Sequence, residues 1–385
     1  MTLRTAVIGL ALGTSFVFLQ SGESFATDPA PEQQYTTANT LALPLFRQTP
    51  ESGESTVSTQ INPAEAESPT EPVTTPAPAP VHKPDILATS AIAYGSYQTD
   101  VSTFKRSLES AEEIDNVMNQ LGTHNASRLA TGWLSYSALL ASQSEPFKKG
   151  VLETEAYFGR DRLLLGMQNS PSYTLSLDGA DDAINRALRA GKADANRLET
   201  VGEEIKEQAY TLQTLGWAKA KLRGKPSEHA QQLRLASLQG RPQSGAVRSM
   251  FISPNINDTL QDTHRLSGSQ TLWDQITQTG SELKLPGLPG LQLSRSQHSV
   301  RAERRESAGN IATLAALKIL GETEVDNSAY VSRALQDPQT QACFEKAQLN
   351  LLQCVSASRN VYERPFCIGV HALKEVGECI GEVSN

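Results

Sequence analysis

The chain has few of the residues and motifs from which an activity is usually inferred. Aromatic residues make up only 6% of its 385 residues, and all 4 cysteines lie between Cys343 and Cys379. It contains no His-Glu-x-x-His, no Gly-x-Ser-x-Gly and no phosphate-cradling glycine loop, so we predict no catalytic residue, cofactor site or metal site. A repeat of fixed period is also missing, which disfavours a helical solenoid.

Long apolar runs are missing beyond the N-terminus as well. A membrane-spanning helix needs about 20 apolar residues, and no segment after position 26 supplies them, so no membrane span is expected once a signal is removed. The formal net charge is −8. Because an acidic chain is repelled by phosphate groups, nucleic acid and anionic membrane surfaces are poor partners.

The first 26 residues have the pattern of a secretory signal peptide. Arg4 gives a basic start, the apolar run Ala6–Leu19 follows, and the small residues Ser24 and Ala26 stand where a signal peptidase cleaves. The apolar run is too short to cross a bilayer, which disfavours the alternative of a membrane anchor. We therefore expect a periplasmic or secreted protein.

Residues 27–85 predict a disordered linker rich in Pro, Ser, Thr and Glu. Eleven of the 20 prolines fall between Pro29 and Pro84. Proline removes the backbone donor that helices and strands need, and the few apolar side chains cannot offset the entropy of ordering the chain. The segment is interpreted as a spacer ahead of a folded body.

Helical periodicity begins at Ile86 and predicts an all-α bundle, with a helical domain over residues 86–239. Apolar residues every three or four positions predict one helix through Phe104, Leu108 and Leu121, and further helices over about 126–140, from Glu145 to before Pro171, and over about 227–238. The longest periodic segment, Asp181–Leu222, approaches the four-three rhythm of two-stranded helical packing, which suggests self-association. Gly191, Gly202 and Gly216 within it predict breaks or close helix contacts.

The remaining chain divides into an irregular insert over residues 240–298 and a helical region with two disulfides over residues 299–385. The stretch Leu285–Leu291 alternates Leu with Pro-Gly pairs and fits neither helix nor regular strand. A helix is predicted from about Arg301 to Gly321, and Asp337-Pro338 predicts the start of another.

The four cysteines predict a small helical hairpin closed by two disulfides. Cys343 and Cys354 lie on one helix about 16 Å apart, too far for a bond that needs Cα atoms within about 7 Å. Arg364-Pro365 starts a second helix that carries Cys367, and Gly377 before Cys379 suggests its end. In an antiparallel pair the bonds are then nested, Cys354 with Cys367 and Cys343 with Cys379, the favoured one of three pairings.

Two resemblances follow from this terminal unit. Its paired cysteines on two helices resemble the twin Cys-x9-Cys hairpins of the mitochondrial intermembrane space, although ten and eleven residues intervene here. The segment Leu352–Leu373, behind helices and an export signal, resembles uncharacterised exported proteins of Gram-negative bacteria. That resemblance implies an envelope or periplasmic location and no known activity.

Several polar groups are candidates for chemistry, each with a structural alternative. Ser102 and Lys105 match the Ser-x-x-Lys of penicillin-binding proteins, but the Lys-Thr-Gly motif of that family is missing. His371 lies near Cys367, yet oxidised cysteines are not ligands or nucleophiles.

Charged clusters complete the candidates. Glu153, Glu155 and Asp161 are carboxylates suited to glycan hydrolysis, or members of a solvated helix face. Asp181-Asp182 fits a helix N-terminus, and the cluster Arg301, Arg304 and Arg305 fits an acidic partner or a solvated face.

The function predicted from these observations is a non-catalytic structural or protein-interaction module of the cell envelope. Its partner would be an envelope protein or a second copy of the chain. The alternative is a cell-wall-acting hydrolase whose carboxylate or Ser/Lys site is assembled only by the fold.

Overall fold

Helices form the regular structure of the described residues, which confirms the all-α fold class. The structure, a computed structural model, describes residues 85–263, 272–273, 299–324 and 328–383, all within the unit Ala77–Asn385. The predicted signal, almost all of the predicted linker and the stretch Leu285–Leu291 lie outside these residues. In the described ranges β-structure is limited to isolated bridge residues, among them the antiparallel pair Lys221 and Asn360.

Ten helices precede residue 264 in the described part of the chain. They are α1 (Ile86–Thr103), α2 (Ala111–Gly122), α3 (Ala126–Ala141), α4 (Glu145–Phe158), α5 (Arg160–Asn169), α6 (Pro171–Thr174), α7 (Ala180–Leu212), α8 (Pro226–Gln239), α9 (Gly245–Phe251) and α10 (Ile256–Thr263). The later helices are α11 (Arg305–Ile319), α12 (Ala329–Ala334), α13 (Pro338–Ala357), α14 (Arg364–Cys367), a π-helical segment (Ile368–Lys374) and α15 (Glu375–Gly381). Short 3-10 turns lie at Ala302–Arg304, Glu322–Glu324 and Val361–Glu363.

The centre of the core is formed by α3 and α11, which are buried on nearly all sides. Every residue of Gly132–Ala141 and of Ser307–Leu317 is buried. α3 contacts α1, α7, α11 and α13. Small residues permit this approach: a Cβ on Gly132 would lie 2.8 Å from the backbone nitrogen of Tyr94 on α1. Because α3 is buried on nearly all sides, it serves as the axis around which the other helices pack.

The long periodic segment forms α7, a single helix that ends at Leu212 and does not continue to Leu222. Its stripe of Leu188, Leu198 and Ile205 is buried against α3 and the C-terminal helices of the same chain. Gly202 causes no break. It lies against Gly369 of the π-helical segment, where a Cβ on Gly202 would come within 2.6 Å of the Gly369 carbonyl oxygen. The partner of this stripe is thus the chain's own C-terminal unit.

The sequence prediction of one helix through Phe104 and Leu108 is wrong. α1 ends at Thr103, and α2 starts only at Ala111, after Ser110 caps it by accepting a hydrogen bond from the Glu113 amide. Both predicted apolar residues are still buried, 4% exposed at Phe104 and 3% at Leu108. The apolar spacing therefore predicted correctly that the Phe104 and Leu108 side chains are buried. It did not predict the end of the helix, because Ser110 caps a new helix before Leu121.

Two further boundaries differ from the prediction. The helix expected from Glu145 to before Pro171 is split at Gly159, whose φ of 84° no helical residue adopts. The segment expected to be irregular contains α9, which Ser244 caps by accepting from the Val247 amide, and α10. Neither of these short helices has the several turns of periodicity on which the sequence prediction relied.

The C-terminal disulfides form as predicted. Cys343 bonds Cys379 and Cys354 bonds Cys367, each pair with Cα atoms 5.6 Å apart. α13 starts at Pro338, and the Asp337 side chain accepts from the Thr340 amide as its N-cap.

The predicted helix end at Gly377 is wrong, because the helix continues to Gly381. Gly377 instead allows α15 to pack closely on α7, since a Cβ at this position would lie 3.0 Å from the Leu198 Cβ.

Candidate functional site

Ser102 and Lys105, the residues of the Ser-x-x-Lys match, form separate polar contacts. Ser102 lies at the end of α1, where its hydroxyl accepts from Arg197 at 2.8 Å. The Lys105 amine donates to Glu113 at 2.8 Å and to Glu109 at 3.1 Å. These carboxylates raise the pKa of Lys105. A lysine that activates a serine needs a lowered pKa, so this arrangement does not suit the hydrolase.

Two acidic residues of α4 pair with nearby cations on the surface, and Asp161 of α5 is exposed. Glu155 accepts from Arg160 Nε at 2.9 Å, and Glu153 lies 3.7 Å from Lys149 Nζ. Such exposed pairs are typical of a solvated helix face. Asp182 accepts from the Ser144 hydroxyl at 2.7 Å and from Arg186 at 3.1 Å in the first turn of α7, as an N-terminal acidic residue should.

Two of the remaining candidates, His371 and Arg304, contact side chains of neighbouring residues in the fold. His371 Nδ1 lies 2.9 Å from Glu375 on the next turn, and both neighbouring cysteines of its unit are oxidised. Arg304 is only 7% exposed and donates to Thr340 at 2.9 Å, while Arg301 and Arg305 are exposed. Within the ranges that the structure covers, no group of three or more His, Cys, Asp or Glu is arranged to hold a metal ion.

A buried carboxylate, Asp194, connects three parts of the chain. It accepts from the Tyr94 hydroxyl on α1 at 2.8 Å and from the Trp273 indole nitrogen at 3.0 and 3.1 Å. Burial and the neighbouring Asp194 raise the pKa of Tyr94 well above its ordinary value, so the phenol stays protonated and donates. The Trp273 side chain is thereby held against α1 and α7.

This network extends through α1 and α7. Gln98 donates to the Tyr94 hydroxyl at 2.6 Å and accepts from Arg197. The rings of Tyr94, Tyr136 and Trp273 pack together, with centroids 5.0 to 5.7 Å apart. Tyr94, Trp273 and Asp194 are 0%, 0% and 3% exposed.

Because solvent does not reach the Asp194 network, it is suited to holding α1, α3 and α7 together and not to turning over a substrate. Asp194 was missed by the sequence reasoning, although one signal was present. It falls on the buried stripe of α7, four residues before Leu198.

A second partly buried cluster fixes the segment that follows α8. Asp100 pairs with His124 Nε2 at 2.8 Å and accepts from Arg241 Nε at 2.6 Å. Burial alone would raise the pKa of Asp100, but the hydrogen bonds from His124 and Arg241 outweigh it and the pKa is lowered. Burial lowers the pKa of His124, so its ring is neutral near pH 7.

In the described part of the chain, α4 and α5 carry exposed large apolar side chains on both sides of the turn that joins them. We call Leu152, Tyr157, Phe158 and Leu165 the aromatic corner. Tyr157 is 82% exposed, and its ring packs edge-on against Phe158 at 4.6 Å. Phe158 and Leu165 are 50% and 54% exposed. Large apolar side chains that lie together on a surface, as Tyr157 and Phe158 do, mark contact sites for other molecules.

Gly159 creates the aromatic corner. Its positive φ ends α4 and starts α5 in a new direction, and a Cβ there would meet nothing within 4 Å. Arg160 secures the turn by donating to Glu155 and to the Leu320 carbonyl at the end of α11. The two aromatic side chains therefore stand on a fixed turn of the chain.

Comparison with known proteins gives no relative from which an activity can be transferred. No protein-family model, curated protein or solved structure matches the chain.

Proposed function

We propose that the protein is an exported, non-catalytic interaction module of the cell envelope, and that the aromatic corner contacts a protein partner there. The observation that carries the proposal is the exposed Tyr157–Phe158 pair on a turn secured by Arg160. Tyrosine and phenylalanine are enriched at protein interfaces because they bury a large area for little lost side-chain entropy.

The location rests on the disulfides and on the sequence. Disulfide bonds are typical of oxidising extracytoplasmic compartments, and all four cysteines are paired. In the described part of the chain, none of the helices has both the length and the hydropathy that a membrane crossing requires. The predicted signal peptide and the resemblance to exported proteins of Gram-negative bacteria support the periplasm as the place of action.

Photo-crosslinking in intact cells tests the proposed contact. A photoreactive phenylalanine derivative is placed at Tyr157 or Phe158, and in a matched control at Gln353, an exposed polar position on α13. We expect one adduct of the same mass from positions 157 and 158 and none from position 353. A second variant, Leu165→Ser, should reduce the yield from position 157.

Three results would overturn the proposal. They are the lack of any adduct, equal adducts from all three positions, and an adduct with twice the mass of the chain. The last would establish self-association instead of a different protein partner.

A further inference from the structure

A polar cleft lies on the side of the molecule where α5 and α6 meet α11 and α12. Its volume is about 240 Å³, space for about eight water molecules at their volume in the liquid. The floor is rigid, because Thr174 and Thr313 share a hydrogen bond of 2.8 Å between α6 and α11. Gly309 lets the two helices touch, since a Cβ there would lie 2.8 Å from Pro171.

The lining is rich in carboxamides. Gln168, Asn169, Asn310 and Gln336 contribute amide groups, and Tyr330 contributes an aromatic ring. Asn310 is buried and fixed by a hydrogen bond of 3.4 Å to Asp337. Gln168, Asn169 and Gln336 form no side-chain hydrogen bond within the described chain, so their amides are available to a ligand.

The charges in the cleft balance. Arg333 and Glu306 are its two charged side chains, one of each sign, which disfavours a strongly anionic or cationic ligand. A carboxamide both donates and accepts, as a sugar hydroxyl or an acetamido group does. An aromatic ring offers a flat apolar face to the C–H groups of a sugar ring.

An extended peptide fits this cleft less well than a sugar. Peptides are commonly held by main-chain hydrogen bonds to a strand edge or in a long apolar groove. The walls here are side chains that mix amides with short apolar surface such as Ala334 and Leu317.

We propose that this cleft binds a neutral saccharide unit carrying an N-acetyl group, of the kind found in cell-wall glycans. Asn169 and Gln336 would bind the hydroxyl and acetamido groups at the rim, and Tyr330 would stack on the sugar ring. The cleft is separate from the aromatic corner, so this inference does not depend on the proposed protein contact.

Titration of the full-length oxidised protein with N,N′-diacetylchitobiose tests the inference, with saturation-transfer NMR as the readout. We expect a dissociation constant on the order of 1 mM, as for a small cleft of this kind. The double variant Asn169→Ala/Gln336→Ala changes exposed residues and should weaken binding by roughly tenfold or more. Tyr330→Ala should also weaken it, and its melting curve reports whether the fold survives.

Matched controls are Gln353→Ala and Tyr210→Ala, which remove an exposed amide and an exposed ring elsewhere. Both should bind like the natural protein. The inference fails if the disaccharide does not saturate the protein, if the cleft variants bind as well as the controls, or if cellobiose, which lacks acetamido groups, binds equally. Displacement of the disaccharide by a dialanine peptide would also overturn it.

Discussion

At Asp194 a single side chain connects α1, α7 and Trp273, and its removal should be costly. Asp194→Ala leaves the Tyr94 hydroxyl and the Trp273 indole N–H buried without an acceptor. An unpaired buried donor costs about 1–3 kcal/mol, so the free energy of unfolding should fall by on the order of 3 kcal/mol. Urea unfolding measures the change. Asn196→Ala, at an exposed position of the same helix, should stay within about 0.5 kcal/mol, and an equal loss there would contradict the assignment.

His124 should make the protein less stable in mild acid. Burial lowers the pKa of His124 below its ordinary value of 6.5, against the opposing effect of Asp100. The unfolded chain then binds more protons than the native one as the pH falls through that value, so the free energy of unfolding decreases from pH 7 to pH 5. Asp100, whose pKa is lowered, adds a further loss only as the pH falls below its ordinary 3.8.

The check is urea unfolding of the natural protein and of His124→Gln at several pH values. The variant cannot take up the proton, so its stability should depend less on pH between 7 and 5. Parallel curves for the two proteins would show that other groups cause the dependence.

Among the helices, the contact between α7 and the π-helical segment depends on two glycines. In Gly202→Ala the new methyl group would lie 2.6 Å from the Gly369 carbonyl and 2.5 Å from Lys374 Cγ. The backbones must separate, and overpacking of this kind costs about 1–3 kcal/mol. Gly216→Ala is the matched control, because nothing lies within 4 Å of its added carbon. The midpoint of thermal unfolding should be lower in Gly202→Ala and unchanged in Gly216→Ala. An unchanged midpoint in Gly202→Ala would contradict this packing.

The sequence predicts those helices whose apolar spacing or starting residues lie within the helix itself. α3 and α8 have apolar spacing over several turns, and α13 has an Asp337-Pro338 start. The split at Gly159 and the interruption before Ser110 were missed, since apolar spacing continues through both. The sequence predicts a helix end at Gly377, because only the packing of α15 on α7 shows why a glycine is needed there.

The candidate surfaces were less predictable than the helices. Tyr94, Asp194 and Trp273 are far apart in sequence, and their contact depends on how the helices pack. The aromatic corner follows from the turn at Gly159. The cleft at Tyr330 is assembled from helices that are more than a hundred residues apart in the chain.

At the scale of the whole molecule, the two disulfides join α13 to the helical segments that follow it within the C-terminal unit. Cys343–Cys379 closes the longer loop, with a sequence separation of 36 against 13 for Cys354–Cys367. Chain entropy predicts about 4 kcal/mol for the first and about 3 kcal/mol for the second. Cys343→Ser/Cys379→Ser should therefore lower the unfolding midpoint in urea more than Cys354→Ser/Cys367→Ser does. The reverse order would contradict this account of the unit.

The export of the protein to an oxidising compartment is the claim on which the proposed function depends, and the state of its four cysteines in cells tests it most directly. Free thiols are alkylated in intact cells that produce the protein, and the purified chain is then digested without reduction and analysed by mass spectrometry. We predict two linked peptide pairs, Cys343 with Cys379 and Cys354 with Cys367, and no alkylated cysteine. Alkylation at all four positions would contradict both the location and the covalent closure of the C-terminal unit.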